Sequence, residues 1–256
     1  MNTTYYIIAF FIFGIMFGSF YNVVGYRLPR NESIVFPNSY CPKCKKPLGF
    51  FELVPIFSYI FLLGRCKKCK TKISFLYPLF ELLTGLLFVT CYLVFGISLD
   101  LIIALIFSSA LIIIVIGDIN YMTIPDEIII IASVLIIILK LISSGFYITL
   151  ISIGEATLTL AFMYLLKKVG DFMFKKESLG GGDIKLMFLI GLVVGLHLGV
   201  LAVVLAAFIA LPISLLILIY KKTNIISFGP FLSIAGLIYY FLQITPLDIY
   251  KLILNI

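Results

Sequence analysis

Long apolar runs separated by short polar segments make up most of this chain. A helix needs about 20 apolar residues to cross roughly 30 Å of hydrocarbon. On this measure the predicted spans lie near 4–26, 73–95, 98–117, 125–144, 147–168, 198–220 and 227–246. The run after Asp183 is too long for one span and is interrupted around His197, so a short helix is predicted over 184–196. The pattern therefore predicts an all-α, polytopic membrane helix bundle with about eight membrane segments in a single domain, 1–256.

The composition agrees with this pattern. Hydrophobic residues make up 62% of the 256 residues and charged residues 12%, whereas a soluble globular chain carries about 25% charged residues. A soluble domain is therefore excluded. The first apolar segment has no Lys or Arg before it and is too long for a secretory signal, so we predict that it is a retained anchor.

Basic residues predict the orientation of the bundle. They fall in three groups, 27–72, 167–185 and 221–222. Eight crossings with the N-terminus outside place all three groups on one side, and an excess of Lys and Arg marks the cytoplasmic side. We interpret the net charge of +7 as a charge bias that sets the membrane topology and attracts anionic membrane lipid. It does not imply a nucleic acid partner.

Two aspartates fall on that same side at helix ends. Asp118, in GDINYMTIPDE, closes one span, and Asp183, in SLGGGDIKLM, opens another. The helix dipole disfavours a negative charge at the C-terminal end of a helix, so a role in helix stability does not explain Asp118. Asp126, in contrast, starts a helix, where a carboxylate is favoured by the dipole. Gly180, Gly181 and Gly182 permit unusual backbone angles and the close approach of another backbone beside Asp183.

Two facing carboxyl groups suggest acid and base chemistry. At about 4 Å two like charges repel by ~4 kcal/mol at an effective dielectric near 20, so such a pair shares one proton. One partner can then deprotonate water while the other protonates a leaving amine, which is peptide hydrolysis. We expect Asp183 to be the ionised partner and Asp118 to hold the proton.

Four cysteines form two CxxC pairs in the loop after the first span. Cys41 and Cys44 are separated from Cys66 and Cys69 by 21 residues, close to the spacing of four-cysteine zinc sites. A cytoplasmic location disfavours disulfides, and the surrounding lysines lower the pKa of the thiols. We predict a structural zinc ion held by an inserted cytoplasmic loop, 27–72, with an interfacial apolar piece, 51–64, between the pairs.

The ordered motifs resemble those of the prepilin peptidases, or type IV leader peptidases, which are GxGD membrane aspartyl proteases. The resemblance rests on GDINYMTIPD and GGGDIK, with FGSFYNVVGYRLP, CPKC, CKKC, YPLFELLTGLLF and ISFGPFLSIAG in the family's order. It implies that Asp118 and Asp183 are catalytic. We predict that Asp126, Lys185 and the three glycines have supporting roles.

The resemblance also implies the substrate and the location. The substrates would be type IV prepilin or pseudopilin precursors, cleaved at the cytoplasmic face of a bacterial inner membrane, typically after a glycine. Many members then methylate the new N-terminus with S-adenosylmethionine, and the cysteine loop is typical of those bifunctional forms.

Two other readings of the carboxylates and cysteines remain open. One is a carboxylate-based membrane transporter or proton pathway, although transporters tend to place such groups at the membrane midplane within internal repeats, and no repeat is visible here. The other is a non-enzymatic assembly factor that holds zinc. Such a factor would leave Asp118 and Asp183 unexplained.

Overall fold

The computed structural model describes residues 3–221 and 226–243 and is built from helices. The helices are α1 (Thr3–Arg27), α2 (Phe57–Phe61), α3 (Leu76–Phe95), α4 (Leu99–Tyr121), α5 (Asp126–Phe174), α6 (Gly181–Lys221) and α7 (Gly229–Leu242), with 3₁₀ turns at Leu28–Arg30 and Phe50–Glu52. No strand occurs in these described ranges, and the predicted all-α class is confirmed. Lys222 and the last part of the predicted final span, 244–246, lie outside them.

The chain divides into two compact units, Met1–Tyr121 and Met122–Ile256. In the first unit α1 packs against α3 and α4. A Cβ atom added at Gly14 would lie 2.6 Å from the Cα atom of Gly85, and one at Gly18 would lie 2.8 Å from the Cα atom of Glu81. The absence of side chains at these glycines therefore lets α1 and α3 touch through their backbones, as small residues do between membrane helices.

In the second unit α5 packs against α6, and α6 against α7. The two long helices each contain one residue with non-helical angles, Gly145 in α5 and Gly195 in α6, both at a φ of 82°. A positive φ of this kind is readily adopted only by glycine. The predicted break between the spans 125–144 and 147–168 is thus confirmed and lies at Gly145. The helix break that was predicted around His197 lies at Gly195.

Both long helices fold back on themselves at these glycines. In a straight helix, residues twelve apart are separated by about 18 Å along the axis. Lys140 Nζ nevertheless donates a hydrogen bond to Ser152 Oγ at 3.0 Å, and a Cβ atom added at Gly199 would lie 3.7 Å from Met187 Cε. Each of α5 and α6 is therefore a pair of helical segments.

The outward-facing side chains are largely apolar. Within the part of the chain that the structure describes, five helices are long and apolar enough to cross a membrane, and α7 is a shorter apolar helix. Exposed large side chains such as Ile138, Leu158 and Phe208 occur along them, whereas the surface of a soluble monomer rarely carries large contiguous apolar patches. The chain is an integral membrane protein. The eight crossings and their orientation remain predictions.

Replacing Lys140 by methionine should destabilise the second unit. Lys140 Nζ also donates to the Leu192 carbonyl at 2.7 Å, close to the bend at Gly195, where the helical hydrogen-bond ladder is interrupted. Loss of a charged donor to buried acceptors costs about 1.5–3 kcal/mol, so the protein in detergent should unfold at a lower temperature. Lys176→Met, at an exposed position, is the matched control. Equal unfolding temperatures for the two variants would contradict this role.

Candidate catalytic aspartates and metal centre

Asp118 lies in the last turn of α4 and is 5% exposed. Its helix end is held by close packing, because a Cβ atom added at Gly25 of α1 would lie 2.6 Å from Ile116 Cγ2. The helix ends at Tyr121, and Met122 follows with a left-handed φ of 52°. The sequence therefore produces a buried carboxyl group at the C-terminal end of an apolar helix, as predicted.

Asp183 lies in the first turn of α6, which begins at Gly181, and is 7% exposed. The helix is anchored directly behind it, because Leu186, Met187 and Ile190 are completely buried. Ile190 also lies against α7, 3.3 Å from where Gly236 would carry a Cβ atom. A second buried carboxyl group thus lies at the N-terminal end of a helix, where the dipole favours negative charge.

The glycines before Asp183 have a role that the sequence did not reveal. A Cβ atom added at Gly182 would lie 2.8 Å from Ile124 Cβ, whereas one at Gly181 would meet nothing within 4 Å. None of the three has a positive φ, and the approach of a substrate backbone beside Asp183 remains a prediction. Gly182 lets the start of α6 pack closely against the segment that precedes α5.

Gly182→Ala should therefore impair the site through Ile124. Displacing Asp183 by a fraction of an ångström or more should reduce cleavage of the prepilin-like precursor that the sequence resemblance implies as substrate, by about tenfold to a hundredfold. The double variant Gly182→Ala with Ile124→Ala should recover most of the loss, and Gly181→Ala should cleave like the unmodified protein. Failure of the second substitution to restore cleavage would show that Gly182 serves another purpose, such as clearance for the substrate backbone.

Asp126 and Lys185 form an ion pair, with Lys185 Nζ 2.5 Å from Asp126 Oδ2. Asp126 is the first residue of α5, whose N-cap Pro125 has no side-chain cap. Both side chains are about half exposed, so the pair contributes little to stability by itself. It ties the start of α5 to the start of α6, beside the contact between Gly182 and Ile124.

The four loop cysteines come together as predicted. Their sulfur atoms all lie within 4.8 Å of one another, with Cys41 Sγ 3.7 Å from Cys69 Sγ and Cys44 Sγ 3.9 Å from Cys66 Sγ. All four are free thiols. The cluster can hold a metal ion. Cys91 is buried elsewhere, in contact with Ser108.

Two similar tight turns build this cluster. Cys41 N–H donates to the Lys46 carbonyl and Cys66 N–H to the Thr71 carbonyl, each at 2.9 Å. Lys45 and Lys70 follow the second cysteine of their pairs with φ of 56° and 57°. The two CxxC motifs therefore fold as a structural repeat in which each turn supplies two thiols to one centre.

Hydrogen bonds and burial shift the pKa values of these thiols. The Thr71 hydroxyl, 3.3 Å from Cys69 Sγ, and the Thr71 N–H lower the pKa of Cys69 to about 6. A hydrogen bond from the Lys46 N–H lowers the pKa of Cys44. Burial and the neighbouring sulfurs outweigh this effect and raise that pKa to about 11. The largest lowering of the Cys69 pKa thus comes from Thr71, and hydrogen bonds with the Cys66 and Cys44 thiols lower it further. Metal binding would replace the remaining thiol protons.

The interfacial piece between the cysteine pairs is short and partly helical. It contains the Phe50–Glu52 turn and α2, and Phe51, Phe61 and Leu63 are exposed. Glu52 accepts from Gly49 N–H at 2.8 Å and pairs with Lys46 at 3.0 Å, and these two contacts lower the pKa of its carboxyl. The piece is too short to cross a membrane, as predicted, and its position at the interface remains a prediction.

Sequence reasoning did not identify the buried polar residue Asn22 of the first unit, which lies near the carboxyl-bearing Glu81. Asn22 is 2% exposed, and its Nδ2 donates to the Tyr77 carbonyl at 3.1 Å. Glu81, 8% exposed, accepts a hydrogen bond from Ile56 N–H at 2.7 Å. Ile56 has a positive φ of 62°, which is a genuine outlier for a β-branched residue. A polar residue inside an apolar span was the signal available in the sequence.

Comparison with known proteins finds two family models that match the chain. A model described as "Bacterial Peptidase A24 N-terminal domain" matches residues 12–95, and one described as "Type IV leader peptidase family" matches residues 105–215. No solved structure matches the chain.

Similar proteins carry the name "Prepilin leader peptidase/N-methyltransferase". One from Bacillus subtilis (strain 168) is 41% identical over 190 residues, which cover 73% of each chain. One from Neisseria gonorrhoeae is 30% identical over 249 residues, covering 88% of this chain and 86% of the relative. One from Myxococcus xanthus (strain DK1622) is 35% identical, covering 71% of this chain and 54% of the relative.

Proposed function

This chain belongs to the type IV leader peptidase family, and on that basis we propose that it is a membrane aspartyl endopeptidase and an N-methyltransferase. It cleaves the leader peptide of type IV prepilin-like precursors and methylates the new N-terminus. The observation that carries the peptidase assignment is the pair of buried carboxyl groups at helix ends, Asp118 in α4 and Asp183 in α6.

The chemistry assigned to these two residues is general acid–base catalysis. One carboxylate takes a proton from water, which then attacks the scissile carbonyl, while the other carboxyl group gives a proton to the leaving amine. Positions at opposite helix ends support different charge states, because the dipole stabilises a carboxylate at the start of a helix and a neutral acid at its end. Asp183 is therefore the proposed base and Asp118 the proposed acid.

We further propose that the cysteine cluster holds a structural zinc ion. A tetrahedral zinc site with Zn–S bonds of about 2.3 Å has sulfur atoms roughly 3.8 Å apart, and the paired sulfurs lie 3.7 and 3.9 Å apart. Four thiolates leave no open coordination position, so the ion serves to fold the loop. The basic residues of this loop support its location on the cytoplasmic face of the inner membrane.

Purified protein in detergent, mixed with a prepilin-like precursor, tests the two activities separately. Mass spectrometry should detect cleavage immediately before the apolar segment, and methylation of the new N-terminus only when S-adenosylmethionine is added. A precursor with its cleavage-site glycine replaced by a bulky residue is the control. An intact precursor would overturn the peptidase assignment, and cleavage without methylation would overturn only the second activity.

A further inference from the structure

The connection between α5 and α6, residues 175–180, leads directly into Asp183. α5 ends at Phe174 and α6 begins at Gly181. Residues 175–178 are all exposed, so packing in the interior of the bundle does not fix their path. Polar side chains have to hold this connection in place, and none of its residues before Gly180 belongs to the proposed catalytic machinery.

A contact between Asp171 and Ser178 holds the connection against α5. Asp171 lies in the last turn of α5, and its Oδ1 accepts hydrogen bonds from Ser178 N–H at 2.7 Å and from Ser178 Oγ at 2.8 Å. The same hydroxyl oxygen lies 3.2 Å from the Lys167 carbonyl. Hydrogen bonds to an ionised carboxylate are roughly twice as strong as those between neutral groups. One carboxylate therefore fixes both the backbone and the side chain of Ser178.

Gly170 leaves the space that this contact needs. A Cβ atom added at Gly170 would lie 2.6 Å from Ser178 Oγ and 2.8 Å from Ser178 Cβ. Gly170 has no positive φ, so its lack of a side chain serves close approach. The neighbouring residues Gly170 and Asp171 thus supply the space and the acceptor for Ser178.

The far end of the connection contacts the carboxyl group of Asp183. Because α6 begins at Gly181, Gly180 is its N-cap residue and Asp183 its third residue. A Cβ atom added at Gly180 would lie 3.2 Å from Asp183 Oδ2, so this carboxyl group folds back over Gly180. Acidic side chains at the third position of a helix reach back to the N-cap residue in this way. The backbone two residues after Ser178 therefore borders the proposed base.

We propose that Asp171 and Ser178 are positioning residues, which fix Gly180 against Asp183 and thereby set the orientation of its carboxyl group. The proposal rests on the proposed peptidase function. Only Leu179 separates Ser178 from Gly180, so a shift of Ser178 moves the backbone beside the carboxyl group. A misplacement of about 1 Å in an active site can reduce the rate about a hundredfold. Asp171 and Ser178 act through Asp183 and are not themselves catalytic residues.

A contact that only stabilised the connection would give a different result from a positioning contact. Its loss would lower the unfolding temperature and leave the turnover of folded molecules unchanged. Loss of a positioning contact lowers kcat and leaves KM nearly unchanged, because the orientation of the base matters in the transition state and not in the binding of the precursor.

Steady-state cleavage of a prepilin-like precursor by the full chain in detergent tests this role. Asp171→Ala removes both hydrogen bonds to Ser178 and should lower kcat about tenfold to a hundredfold, with KM within about twofold of the unmodified value. Asp171→Asn keeps an oxygen acceptor in the same place and should retain most of the kcat. This conservative variant separates the geometry of the contact from the charge of Asp171.

Two further variants disturb the same contact from the other side. Gly170→Ala should lower kcat like Asp171→Ala, because the added methyl group displaces Ser178. Ser178→Ala removes only the hydroxyl and should lower kcat less, by about threefold to tenfold. Ser214→Ala is its matched control, since the Ser214 hydroxyl also donates to a backbone carbonyl, that of Leu211 at 2.8 Å. It should cleave like the unmodified protein.

The double variant Asp171→Ala with Ser178→Ala should be no slower than Asp171→Ala alone, since both changes remove one contact. Thermal unfolding shows which variants are folded at the assay temperature, and Gly170→Ala decides the question if Asp171→Ala misfolds. An unchanged kcat in either folded variant, or a rise in KM alone, would overturn the positioning role and leave the peptidase function standing. If the unmodified chain does not cleave the precursor, the peptidase function fails and the positioning role fails with it.

Discussion

Asp118→Asn and Asp183→Asn should each reduce cleavage of a prepilin-like precursor by about a hundredfold to ten-thousandfold. Asparagine has the shape of aspartate but can neither take a proton from water nor give one to a leaving amine. General acid–base catalysis contributes rate factors of this size. Both carboxyl groups are buried, and the asparagine variants keep that packing. Precursor cleavage is followed over time by gel electrophoresis and mass spectrometry.

Asp100→Asn is the control for this experiment because Asp100 lies in the first turn of the same helix as Asp118 and is exposed. It should cleave at the unmodified rate. Thermal unfolding of all three variants distinguishes lost chemistry from lost structure. Full cleavage by either the Asp118 or the Asp183 variant would end the aspartyl peptidase assignment.

Replacing Cys41 and Cys66 by serine should remove the metal and unfold the cysteine loop. Both side chains are buried, and each belongs to a different turn of the cluster. Structural zinc in small domains contributes about 10–16 kcal/mol of apparent binding free energy, most of which is folding free energy. Metal content by elemental mass spectrometry should fall to background, and the unfolding temperature of the protein should fall with it.

Cys91→Ser tests whether that effect is specific to the cluster. Cys91 is buried like Cys41 and Cys66 but contacts Ser108 in α4, so this variant should retain the proposed zinc ion. A double variant at Cys41 and Cys66 with the metal content of the unmodified protein would contradict the zinc site. A chelator strong enough to remove zinc from the unmodified protein should reproduce the loss of stability.

The positions of the helices follow closely from the apolar pattern. The segment predicted at 73–95 is α3, Leu76–Phe95, and the one at 98–117 is α4, Leu99–Tyr121. Each helix satisfies its own backbone hydrogen bonds, so a long apolar run in a membrane can only be helical. The bend at Gly195 was displaced by two residues in the prediction, because hydropathy reports residue type and carries no information on φ.

The candidate site was only partly visible in the sequence. The motifs identified Asp118, Asp183 and the four cysteines, since charges at membrane depth and CxxC spacing are unusual enough to stand out. The same motifs did not reveal that Gly182 packs against Ile124, and they left Asn22 unnoticed. The environments of Gly182 and Asn22 depend on which residues pack against them in the folded chain. Residues 124 and 182, for example, are far apart in the sequence.

The sequence by itself determined the helical class, the family and the chemistry of the charged groups, because these depend on residue types and their local spacing. The tertiary structure alone decided which carboxyl groups are buried, that Lys140 reaches the Leu192 carbonyl, and that polar side chains of α1 and α3 line one cavity. Such features arise from the packing of distant segments. No local pattern specifies that packing, since many arrangements would bury the same apolar surface equally well.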